Sequence, residues 1–225
     1  MSQFTYDLDN KYIRSLPPEQ QQKISPLEKY TLRANGGLFY LRDRDTEKGV
    51  EVCRVAADGQ LKISRADTDC ATEIFRFELL QKALAVQGGK RCDCVLSPEV
   101  GTKYIVFCEL THSEADHVQP FTSKGGGTSK GGGTSKGGGK YSTAYHQLES
   151  SIQWCLDRGI SFDAYEYKKA IFGWKESCPQ RENKATRSMK GFTHPKGKSN
   201  AVHRLCGGFC FKMVRYPDVT YLCHD

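Results

Sequence analysis

The chain has 225 residues, 38% hydrophobic and 26% charged, which is enough for one globular domain with its own core plus an appended segment. No run approaches the roughly 20 apolar residues of a membrane-spanning helix. The opening residues, MSQFTYDLDNKY, lack a basic-then-apolar leader pattern, so a cytoplasmic location is expected. The formal net charge of +7 suits a nucleic-acid partner and a plain solvated basic surface equally well.

In chain order, SLPPEQQQKISPLEKYTLRANGG reads as a short helical start broken by prolines and closed by a Gly-Gly turn. In GVEVCRVAADGQLKISR, Val50, Val52 and Val55 precede Asp58-Gly59, and Leu61 and Ile63 follow it. That pattern predicts a hairpin. TEIFRFELLQKALAVQGG predicts an amphipathic helix over Thr72 to Gln87, with apolar residues at helical spacing and Gly88-Gly89 as the stop. RCDCVL and TKYIVFCELT follow as two strands joined by a loop containing Pro98 and Gly101.

TSKGGGTSKGGGTSKGGG, from Thr122 to Gly139, is three copies of a six-residue unit with no apolar residue. It cannot add to a core and reads as a flexible tether. YSTAYHQLESSIQWCLDRG predicts a second helix whose stripe includes Ala144, Leu148, Ile152 and Cys155, stopped at Gly159. SFDAYEYKKAIFGW predicts a strand, CPQRENKATRSMKGFTHPKGKSN a basic loop, and GGFCFKMVRYPDVTYLC a closing hairpin turned at Pro217-Asp218.

The order helix, strand, strand, tether, helix, strand predicts an α/β fold, a mixed β-sheet flanked by helices. Residues 1–121 form the first part of a single domain, 122–140 the tether, and 141–225 the remainder with its basic loop and closing hairpin.

One residue in this scheme is out of place. YIVFCEL, Tyr104 to Leu110, is the composition of a central strand, yet it carries Glu109 near its end. An unpaired carboxylate is costly to bury there. If the hairpin turns around Glu99 to Thr102, Asp93 lies opposite Glu109, Arg91 opposite Thr111 and Val95 opposite Phe107. Cys92, Cys94 and Cys108 then share the other face. Two carboxylates this close repel unless a cation or a proton lies between them, and a hard divalent ion such as Mg²⁺ or Mn²⁺ suits that donor set. The alternative is a strand-end acid that meets solvent or pairs with Arg91.

Asp93 in CDCVL and Glu109 in CELT, on consecutive strands with a helix on each side, resemble the PD-(D/E)xK nuclease superfamily over roughly Thr72 to Trp174. The resemblance implies a restriction-endonuclease-like sandwich and Mg²⁺- or Mn²⁺-dependent hydrolysis of nucleic acid. Asp93 and Glu109 would hold the metal, Glu78 on the preceding helix would complete the site, and Gln147 on the following helix would orient substrate. The family's lysine position is Thr111, which carries no charge. Either Arg91, Lys168 or Lys169 replaces that cation, or the chain is a catalytically degenerate subunit that binds nucleic acid or serves assembly. Phosphate contacts would come from Lys168, Lys169, Lys184, Arg187, Lys190, Lys196 and Lys198.

A second constellation lies near the end of the chain. His203, Cys206, Cys210 and Cys223 have the residue types of a zinc site, but without paired C-x₂-C knuckles. A zinc-stabilised interaction protein is therefore a third reading, against ordinary reduced thiols among the ten cysteines.

Overall fold

The computed structural model describes residues 1–43, 49–54, 59–84, 91–111, 140–175, 204–216 and 218–224. The chain opens with α1 (Gln3–Lys11) and α2 (Pro18–Ile24). The strands β1 (Thr31–Ala34), β2 (Leu38–Asp43), β3 (Val50–Cys53), β4 (Leu61–Ser64) and β5 (Thr72–Phe75) follow. Then come α3 (Phe77–Leu84), β6 (Cys94–Pro98), β7 (Tyr104–Thr111), α4 (Lys140–Leu156), β8 (Tyr167–Lys175), β9 (Cys210–Tyr216) and β10 (Val219–Tyr221).

Two sheets organise these elements. A six-stranded sheet has the order β1-β5-β6-β7-β8-β9, and a four-stranded sheet has the order β10-β4-β2-β3. The first sheet is mixed: β1, β5, β6 and β7 pair antiparallel, whereas β7, β8 and β9 run parallel. Parallel neighbours need a long crossover, and α4 lies on the chain between β7 and β8. The architecture is thus α/β, with mixed sheets flanked by helices. The large sheet takes strands from both sides of residues 122–140, and the glycine repeat itself lies outside the described residues.

Alternation along each strand separates two cores. On one face Phe75, Val95, Phe107, Ala170 and Phe172 pack with Phe4 and Leu8 of α1, Phe77 and Leu80 of α3, and Leu148 and Ile152 of α4. On the other face Ile74, Cys94, Leu96, Val106, Cys108 and Ile171 pack against Phe39, Leu41, Leu61 and Ile63 of the small sheet. The sheets approach closely at Gly173, where a Cβ would lie 2.9 Å from Leu110 and 3.2 Å from Leu61.

Four sequence expectations change. Thr72–Phe75 is a strand, not the start of the helix, because it lies between β1 and β6 with all four residues buried. A run covered on both faces selects β-branched and aromatic residues without a helical stripe. β3 and β4 are not a hairpin, since β2 lies between them, Leu41 pairing with both Val52 and Leu61. β9 and β10 do not form a hairpin either: β9 joins the large sheet beside β8 and β10 joins the small sheet beside β4. Cys92 belongs to the helix-side core, whereas Cys94 and Cys108 lie between the sheets, because the regular ladder begins only at Cys94.

Helix α1 is anchored by a buried acid. Glu73 of β5, 2% exposed, accepts from the Ser2 amide (3.0 Å), the Ser2 hydroxyl (2.5 Å) and the Thr5 hydroxyl. Ser2 in turn caps α1 by accepting from the Thr5 amide. Phe4 then meets Phe75, Phe77 and Phe107 edge-on, with centroids 5.8 to 6.5 Å apart. Removing the Glu73 acceptor strands buried donors, so Glu73→Ala should lower unfolding free energy by about 1–3 kcal/mol. Urea denaturation checks this, and an unchanged midpoint would show that Glu73 does not hold α1.

Candidate functional site

The hairpin register follows from the pairs Cys94↔Cys108, Val95↔Phe107 and Leu96↔Val106. One step beyond β6, Asp93 stands across from Glu109. The Asp93 carboxylate accepts the Leu110 amide at 2.6 Å, tying the acid to β7 just past Glu109. Since Phe107 points to the helix-side core while Cys108 and Leu110 face the small sheet, alternation along β7 places Glu109 on the helix side, and the Leu110 amide holds the Asp93 carboxylate beside it.

Helix α3 brings a third carboxylate. The Glu78 amide, in the first turn, donates to the Asp93 carbonyl at 3.4 Å, while Phe77 and Leu80 fix the helix to the core. Asp43, ending β2, also lies within the electrostatic reach of Glu109. Glu109 itself is 9% exposed, and its Oε2 atom is buried with no hydrogen-bond partner. Burial first, and then the charges of Asp93, Glu78 and Asp43, push its carboxyl well above the usual range. Without a cation the site favours a protonated Glu109.

Lys82 enters the same field from one turn further along α3. Its ammonium lies 2.9 Å from a Glu78 carboxylate oxygen. The Glu78 hydrogen bond, with weaker contributions from Asp43 and Asp93, raises its pKa against a smaller opposing effect of burial. The sequence reading missed both Lys82 and Asp43. Glu78-x₃-Lys82 was visible as an i,i+4 pair, but such pairs are common on exposed helices. Nothing local marked Asp43, since its proximity depends on how the small sheet meets α3. Among the described residues, no three His, Cys, Asp or Glu side chains already converge as a metal-ligand set.

The remaining expected residues fall elsewhere. Arg91 is buried with its guanidinium 6.0 Å from the Trp154 ring centroid. It makes no ion pair with Asp93 or Glu109, so it does not clamp the acids. Thr111 pairs with Trp174 at the end of β7. Gln147 on α4 donates to the Arg91 carbonyl at 3.4 Å, and Ser151 accepts the Cys92 amide at 2.8 Å. The helix thus supports the backbone leading to Asp93, and Gln147 acts through that backbone.

Neither β8 lysine reaches the acids. Lys168 pairs with Ile105, four residues before Glu109, about 13 Å along a strand. Lys169 is 3% exposed and donates to the carbonyls of Tyr221 (2.8 Å) and His224 on the inter-sheet side. It anchors the chain's last turn and is not available as a phosphate contact. Lys184, Arg187, Lys190, Lys196, Lys198 and His203 lie outside the described residues. Of the residues expected for zinc, Cys206 packs against the helix-side core and Cys223 lies between the sheets, so the large sheet separates these two. The described cysteines, Cys210 included, are free thiols.

The raised carboxyl of Glu109 has a consequence for stability. A group whose folded pKa exceeds its unfolded value contributes fully below the unfolded pKa, about 4.3 for glutamate. That contribution is lost as pH rises through the folded value. In chelator, Glu109→Gln should therefore match the parent chain near pH 4 and exceed it in stability at neutral and higher pH. Urea midpoints measured across pH check this, and a difference independent of pH would show that Glu109 does not titrate abnormally.

Comparison of the chain with protein-family models, curated proteins and solved structures gives no match.

Proposed function

We propose that this chain is a metal-dependent, nuclease-like protein acting on or binding nucleic acid, with a restriction-endonuclease-like arrangement of β5, β6, β7, α4 and β8. The observation that carries this reading is the Asp93–Glu109 opposition. Two acids face one another across β6 and β7, on the side covered by α3 and α4, and one carboxylate oxygen is buried without a partner. That is a costly arrangement for a purely structural role, where buried carboxyls are normally fully hydrogen-bonded.

The donor set fits a hard divalent ion. Asp93 and Glu109 would hold Mg²⁺ or Mn²⁺ through carboxylate oxygens, with Glu78 as a third ligand. When bound, such an ion activates water and stabilises charge on a phosphodiester. The chain's own groups prepare for it. Glu109 would give up its proton to hold a cation, and the Leu110 amide fixes Asp93. Lys82 supplies, from α3, the positive charge that Thr111 cannot, and would orient water or substrate beside the carboxylates. Gln147 keeps the Arg91–Cys92 backbone, and hence Asp93, in register.

The uncharged Thr111 favours a second reading, in which the same fold binds nucleic acid without cutting it. Cleavage of single- and double-stranded DNA and RNA in Mn²⁺ separates the two. The hydrolytic reading expects cleavage by the parent chain, reduced at least about 100-fold by Asp93→Ala or Glu109→Ala. It also expects calorimetric Mn²⁺ binding that releases protons and strengthens as pH rises. Binding of nucleic acid with neither cleavage nor Mn²⁺ heat would establish the second reading instead.

Lys82→Met tests the replacement cation directly. Cleavage should fall about 100- to 1000-fold while Mn²⁺ affinity is kept or tightened, because a competing positive charge is gone. Unchanged turnover would reduce Lys82 to a surface ion pair with Glu78.

A further inference from the structure

A second cluster of unsatisfied groups lies at the junction of α1, α3 and α4, and its charge is opposite to that of the acids. The Arg158 guanidinium carbon is 3.9 Å from the Trp154 ring centroid and 4.8 Å from that of Tyr12. The Arg91 guanidinium is 6.0 Å from the same indole, so the two cations lie within about 10 Å of one another. Tyr12 and Trp154 themselves meet edge-on at 4.7 Å.

Aromatic faces attract cations but bring no negative charge. Arg91 is 8% exposed, and neither arginine has a carboxylate within ion-pair distance among the described residues. Arg158 spends one donor on the Trp154 carbonyl at 3.0 Å, capping the end of α4. Three donors are left over. Arg91 Nε, Arg158 Nε and Trp154 Nε1 are all buried and without a hydrogen-bond partner. Burial and the nearby Arg158 charge lower the Arg91 pKa, the direction expected of a cation held beside another cation without a counter-ion.

Each stranded donor is unfavourable, and a buried unpaired charge more so. An anion at Arg91 would offset the cost there and lie within the field of Arg158. The cleft at Arg91 is bounded by Phe77, Leu80, Gln81, Leu84 and Trp154 and has room for about one water-sized group, 10 Å³. It can admit an oxygen of a tetrahedral oxyanion but not a base or a sugar. Guanidinium pairs match phosphoryl oxygens in geometry and charge. We propose that Arg91 and Arg158, set against Trp154 and Tyr12, form a phosphate-binding site separate from the Asp93–Glu109 carboxylates.

The test is run in chelator, so that it does not depend on metal at the acids. The full chain is titrated with inorganic phosphate against sodium chloride at matched ionic strength, by calorimetry and thermal melting. The expected result is saturable binding with a rise in melting temperature, weakened at least tenfold in Arg91→Met and in Arg158→Gln. A decanucleotide with a 5′-phosphate is then compared with its 5′-hydroxyl counterpart. Tighter binding of the phosphorylated strand by tenfold or more identifies a nucleic-acid end as the source, and equal binding identifies a small phosphate compound. Absence of saturable phosphate binding by the parent chain overturns the site, whatever the folding of the variants. Wild-type affinity in both folded variants overturns it as well. Loss of metal-dependent cleavage with phosphate binding intact would leave this site standing and remove only the hydrolytic reading.

Discussion

Two carboxylates facing one another on the buried side of a β-sheet set the terms for the rest of this molecule. Asp93 lies one step beyond the β6–β7 ladder, whose last pair is Cys94↔Cys108, and its carboxylate is tied to β7 by the Leu110 amide just past Glu109. Their repulsion and the loss of water at Glu109 are relieved only by a proton or a cation. Burial and the neighbouring acids push the Glu109 carboxyl well above its usual range, and the Lys82 ammonium pairs with Glu78 of α3.

The layers explain how such a site is kept in place. Phe77 and Leu80 drive α3 onto the sheet, and in doing so carry Glu78 and Lys82 to the mouth of the acidic face. Leu148 and Ile152 do the same for α4, whose Gln147 and Ser151 bind the segment leading to Asp93. On the far side the small sheet closes over Cys94, Cys108 and Leu110, so β6 and β7 are covered on both faces and the register has no slack. Hydrophobic burial provides the adhesion, and the polar groups define the site.

Buried polar groups here divide into two kinds. Glu73 and Lys169 are deeply buried and fully engaged, one by the start of α1 and the other by carbonyls near the end of the chain. Both read as structural fasteners. Glu109, Arg91, Arg158 and Trp154 each keep a buried polar atom without a partner. The first belongs to a cluster of acids, the others to a cluster of cations and rings. Only Lys82, paired with Glu78, brings a described positive charge near the acids, while no described carboxylate pairs with Arg91 or Arg158.

The sequence by itself determined the local pattern around the acids. Alternation in CDCVL and YIVFCELT, with a turn near Glu99 to Thr102, was enough to place Asp93 across from Glu109 and Val95 across from Phe107, because a period of two admits few registers when one face is buried. Amphipathic spacing likewise marked α4, and Gly159, at φ +73°, marked its end. Everything that depended on partners distant in sequence was settled by the tertiary structure. Thr72–Phe75 became a strand because β1 and β6 enclose it. β2 came between β3 and β4, and β9 and β10 went to different sheets. Asp43 joined a cluster that no spacing revealed, and the four-residue spacings of Glu78–Lys82 and Trp154–Arg158 did not by themselves mark a cluster. Strand neighbours and charge neighbours are chosen by whole-sheet packing, whose energy is summed over many residues, whereas periodicity records only which side of its own element each residue must face.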